Sequence, residues 1–109
     1  MDARERYDEI CDDLAARNPE VVLTQMMGMP AVKADGKLVC GFIRSQEAMV
    51  FKLPDKDAHA AALGLEGAHL FDPSGEGRPF KEWVVVPTTH AAEWPRLAEE
   101  ALSQRARGR

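Results

Sequence analysis

No hydrophobic run in this sequence comes near the roughly 18 apolar residues of a membrane-spanning helix, because charges or glycines interrupt every one. The first residues, Met1-Asp2-Ala3-Arg4-Glu5, lack the apolar stretch of a signal peptide, so a cytoplasmic protein is expected. Cysteine is scarce. Cys11 and Cys40 are the two in 109 residues; with no CxxC or CxxxH spacing they are expected to be reduced core residues rather than a disulfide or redox pair.

The residue patterns of common chemistry are missing as well. His59, His69 and His90 stand alone on three different predicted elements, whereas a catalytic zinc site needs three or four convergent ligands, usually with a closely spaced pair. Ser74, in Pro73-Ser74-Gly75-Glu76-Gly77, has His69 and Asp72 nearby but no GxSxG elbow, and reads as part of a flexible loop. That loop also lacks the spacing and following helix of a phosphate cradle. Adjacent carboxylates such as Asp12-Asp13 and Glu99-Glu100 fall on helices, where solvation accounts for them. No catalytic, cofactor-binding or metal-binding residue is assigned, no cofactor is expected, and the chain reads as a non-enzyme.

What the sequence does carry is uneven charge. Residues 1–20 hold seven acids against three arginines, which accounts for the whole net charge of -4. An acidic first helix repels phosphate backbones, and the basic cluster Arg105, Arg107 and Arg109 is expected to be a frayed, disordered tail over residues 105–109. Size and composition, 45% apolar and 29% charged, suit one globular domain over residues 1–109 with a single core.

Periodicity supplies the elements. Tyr7, Ile10, Cys11 and Leu14 recur at the spacing of an amphipathic helix between Asp2 and Arg17, which Asn18-Pro19 ends. Val21 to Leu23 reads as a short strand or an extended segment leading to Met26-Met27-Gly28-Met29-Pro30. Strands over 31–34 and 38–43 flank Asp35-Gly36, the dipeptide suited to a tight hairpin turn. Alternation continues over Ala48 to Leu53, and Gly41 is expected to permit a bulge or a close backbone approach. Asp55 is a candidate N-cap for a helix closed by Gly64. Short strands follow at 68–71 and 83–86, the latter with Trp83 and Val85 on one face and Val84 and Val86 on the other. A last helix buries Leu97, Ala98, Ala101 and Leu102, with Thr88 or Thr89 as its cap and Pro95 in or before its first turn. The expected class is α+β, an antiparallel sheet with helices packed on it in the order α-β-β-β-α-β-β-α.

Three methionines in four residues, Met26, Met27 and Met29, form the most unusual local composition. Core packing beside the first helix is the favoured reading, and an adaptable hydrophobic recognition patch is the alternative. Trp83 is weighed similarly between core and interface.

Several short motifs together resemble the TfoX N-terminal domain family: Gln25-Met26-Met27-Gly28, Val32 to Gly36 continuing into Lys37, the strand Ala48 to Leu53, and Phe80-Lys81-Glu82-Trp83-Val84-Val85-Val86-Pro87 before a Trp-containing helix. Met27 stands where that family usually has Phe. The resemblance covers nearly the whole chain and implies a bacterial protein with an α-β3-α-β2-α sandwich similar to secretion-chaperone-like folds. In the competence regulators that name the family a helical C-terminal domain follows, whereas this sequence stops at Arg109. The expected function is a non-enzymatic interaction module that binds a protein partner or self-associates as a homodimer, with Met26, Met27, Met29 and Trp83 as candidate contacts. The alternatives are an auxiliary transcription- or competence-related nucleic-acid-associated protein, and a small-molecule binder or enzyme with a site drawn from Arg78, Lys81 or His69.

Overall fold

The computed structural model describes residues 2–105, and within them the chain is an α+β domain built on one antiparallel sheet. Helix α1 (Ala3–Arg17) starts at a capping box, in which the Asp2 carboxylate accepts from the Glu5 N–H and the Glu5 carboxylate accepts from the Asp2 N–H. Strands β1 (Val21–Met26), β2 (Met29–Ala34), β3 (Lys37–Ile43) and β4 (Ala48–Lys52) follow as a meander. Then come α2 (Lys56–Leu63), β5 (His69–Phe71), β6 (Phe80–Val86), a 3-10 helix over Thr88–Glu93, and α3 (Trp94–Ser103). The spatial order of the strands is β1-β2-β3-β4-β6-β5.

The class agrees with the sequence reading, and the structure resolves the one open element. The segment after Pro19 is a full six-residue strand, which makes four strands before α2. It turns into β2 through Met27 and Gly28, both at positive φ (51° and 79°), the geometry of a two-residue type I′ hairpin. Asp35 and Gly36, at 54° and 78°, form the same turn between β2 and β3 as their sequence predicts.

Two apolar clusters lie on opposite faces of the sheet. On one face α1, α2 and α3 contribute Tyr7, Cys11, Leu14, Ala62, Trp94 and Leu97 against strand residues such as Cys40, Phe42, Met49, Phe51, Val84 and Val86. On the other, Ile43, Ala48, Val50, Phe71, Trp83 and Val85 pack together with partly buried Met26, Met29 and Leu38, and no helical residue joins them. Strands β3, β4 and β6 are therefore apolar on both faces, which explains the unbroken apolar run from Trp83 to Val86.

The ladder between β2 and β3 shifts register at Val39, where Val32 pairs with Cys40 but Lys33 pairs with Leu38. Gly41 is instead the site of close approach: a Cβ there would lie 3.0 Å from the Pro30 carbonyl oxygen. Pro95 agrees with its expected place, following the 3-10 helix and sitting in the first turn of α3. Two local expectations need correction. Neither Thr88 nor Thr89 caps the last helix, because both lie inside the 3-10 helix that precedes it; the Thr88 hydroxyl donates to the Glu47 carbonyl in the β3–β4 turn. Arg105 is not frayed: its guanidinium donates to Glu20 at 3.1 Å and to Asp35 at 3.0 Å, tying the end of α3 to the β1–β2 side of the sheet. Residues 106–109, with Arg107 and Arg109, lie outside the described residues.

Candidate functional site

Of the four candidate contacts, Met26, Met29 and Trp83 share one face of the sheet, and Met27 stands apart in the turn. Met26 follows Val21 by five residues along β1, so it emerges on the face opposite to Val21 and away from α1. Met26 and Met29 therefore pack against the helix-free cluster and not beside the first helix. Trp83 is buried in the same cluster, within 6.4 Å of Phe71, which in turn meets the edge of Phe80 at 5.6 Å. Met27 alone of the four is a surface residue, 57% exposed at the tip of the hairpin. The Arg44 guanidinium donates to the Gly28 carbonyl at 3.0 Å and fastens that tip to the end of β3.

Two residues that composition and periodicity did not single out join Met27. Val22 and Leu23 are 57% and 50% exposed on β1, which is the outer strand of the sheet. From Val21 to Met29 the chain carries no charge, and the only glycine is in the turn. The opposite edge is built differently: β5 is three residues long and runs into the Asp72-Pro73-Ser74 loop, so it offers little backbone for pairing. The sequence signal for the β1 edge was the uncharged Val21-Val22-Leu23-Thr24-Gln25 run itself, since a solvent-facing outer strand ordinarily carries charge or proline.

Hairpin geometry says which backbone groups of this edge are open. In a two-residue hairpin the residues flanking the turn exchange both hydrogen bonds, and such pairs then recur at every second position. Met26, Thr24 and Val22 thus bond to β2, while Val21, Leu23 and Gln25 direct their N–H and C=O groups outward. The Val21 N–H confirms this phase, because it donates away from β2 to the Asn18 carbonyl at 3.0 Å.

Other reactive side chains are engaged locally. Among the ring nitrogens, His59 Nε2 lies 2.7 Å from the Lys81 carbonyl, His69 Nδ1 lies 3.2 Å from that of Gly67, and His90 Nε2 lies 2.8 Å from that of Glu66. Ser74 donates to Asp72, whose carboxylate also accepts the Gly75 and Gly77 N–H groups and so closes the loop on itself. Arg78 lies in that same loop, Lys81 borders a pocket with Lys56 and His59, and His69 is the first residue of β5. Among the described residues no three His, Cys, Asp or Glu side chains are grouped to hold a metal ion, and no helix is long and apolar enough to cross a membrane.

Cys11 and Cys40 are free and buried. Hydrogen bonding to the Cys11 sulfur, followed by burial, holds the Cys40 thiol well above the ordinary thiol range. Burial likewise pushes up the Tyr7 phenol, whose hydroxyl has no hydrogen-bond partner among the described residues. Both effects favour the protonated, unreactive form. A groove of about 400 Å³ runs between α1 and α3, floored by Ile10, Leu14 and Pro95. At its rim Arg17 bridges Asp13 and Glu99, and Arg96 pairs with Glu93, so both arginines that line it are already neutralised.

No protein-family model, curated protein or solved structure matches this chain.

Proposed function

We propose that this protein is a non-enzymatic interaction module that holds a protein partner along its β1 edge, with Met27 at the end of the contact. The observation that carries the reading is the placement of Val22, Leu23 and Met27, three large apolar side chains, on the open edge and tip of one uncharged strand. Unpaired backbone groups would supply main-chain hydrogen bonds to an added strand, and the side chains would supply the apolar contact. The strand's lack of edge protection supports the same conclusion, since a soluble sheet ordinarily guards so long an edge.

Met27 adds a second line of support. The first turn position of a type I′ hairpin favours Asn, Asp or Gly because its φ is positive, and a methionine there is unfavourable for folding. A residue that opposes its local backbone while exposed at a tip is more readily understood through binding. Nucleic acid is not the partner proposed: α1 is acidic, and Arg105 is occupied by two carboxylates. The resemblance to the TfoX N-terminal domain family is compatible with this function but does not supply it.

The test is affinity capture from an extract of the native cell with the tagged chain and with its Leu23→Lys variant. The reading expects a protein retained by the first and lost from the second. Equal retention by both chains would count against the edge as the binding surface.

A further inference from the structure

We propose that the occupant of the β1 edge is a second copy of this chain, added antiparallel about a two-fold axis beside Leu23, so that two six-stranded sheets join into one. This rests on reading the edge as a protein-binding surface and names what binds there.

The phase of the hairpin leads to this register. Leu23 is the middle of the three residues whose N–H and C=O face outward, so two copies of Leu23 placed opposite one another can exchange both hydrogen bonds. Gln25 then faces Val21 of the other copy. Its N–H can donate to that Val21 carbonyl, while the Val21 N–H stays with Asn18. An isologous contact requires a patch that complements itself, and this strand does so on both faces. Leu23 meets its own copy on the helix side, and Val22 meets Thr24 on the other, a pairing of β-branched residues that sheets favour.

Charge argues for self-pairing over a charged foreign strand. Val21 to Met29 presents no charge for an acidic or basic segment to match, and two copies bring no like charges together along the strand. Glu20, just before it, is already paired with Arg105. The remaining electrostatic term lies above the sheet, where α1 packs against β1 and carries most of the acids of residues 1–20. Two such helices repel, so added salt strengthens the dimer, whereas it would weaken capture of a basic partner.

Sedimentation of the whole chain across a range of concentrations tests the proposal. The native chain is expected to dimerise reversibly and more tightly at higher salt. Leu23→Pro removes only an outward N–H, leaving the β1–β2 ladder intact, and should weaken dimerisation about tenfold or more while circular dichroism stays native. Leu23→Lys is the second variant, should the proline prevent folding. Leu23→Cys should form a disulfide-linked dimer on air oxidation, because the paired Cα atoms of such a register lie about 5.5 Å apart. Gln25→Cys should not, since its two copies are displaced by about 13 Å along the strands. A monomer up to about 1 mM, or a dimer indifferent to both Leu23 substitutions, overturns the proposal. If the chain is monomeric yet Leu23→Lys still abolishes capture of another protein, the self-pairing falls and the edge remains a binding surface.

Discussion

The indole N–H of Trp94 donates to the Val86 carbonyl across 3.1 Å in the protein interior. This bond joins the first residue of α3 to the last residue of β6, across the 3-10 helix that separates them. Trp94 is fully buried, so one side chain fills the helix side of the core and also fixes where α3 begins.

Trp94→Phe is accordingly expected to lower stability by about 2–3 kcal/mol, through the lost hydrogen bond and the space left by the smaller ring. Urea denaturation measures it. A change below about 0.5 kcal/mol would mean that the indole contributes only bulk that phenylalanine replaces.

Met27 separates folding from binding. Met27→Asn suits the positive φ of its turn and removes an exposed apolar side chain, so the variant should be more stable by about 0.5–1 kcal/mol. The same substitution should weaken partner binding. Thermal unfolding and affinity capture read the two effects, and a more stable variant with undiminished binding would remove Met27 from the contact.

The buried thiol and phenol set an alkaline limit. Cys40 and Tyr7 both titrate above their ordinary values in the folded chain, so above about pH 9 the unfolded state releases protons that the folded state retains. Their contribution is fully present at neutral pH and declines as pH rises past the unfolded thiol and then the unfolded phenol. The slope approaches about 1.4 kcal/mol per pH unit for each group. Urea denaturation between pH 8 and 10.5 should show this fall, and Cys40→Ala should reduce it. Stability that stays level across that range would mean that these groups titrate in the core as they do in water.

Much of the helix and hairpin pattern was legible because its causes are local. The Tyr7-Cys11-Leu14 stripe, the Asp55 cap, the Asp35-Gly36 turn and the alternation of Trp83-Val84-Val85-Val86 each depend on residues within a few positions of one another. The Met27-Gly28 turn is less legible because methionine does not favour positive φ, so the sequence alone predicts only a three-residue strand or an extended segment where six residues form β1. The tail expected from Arg105 onward began at a residue whose partners, Glu20 and Asp35, lie far away in sequence.

The sequence by itself determined the class of fold, the acidic character of the first helix and the absence of any spaced catalytic motif, since composition and short-range periodicity carry that information. Tertiary structure alone decided that β1 is an outer strand, that Met26 and Met29 turn inward while Met27 stays outside, and that Trp83 is buried. Strand order is a long-range choice: the same Val22-Leu23 pair would be core in a central strand and is surface here because no described strand pairs with its outer side.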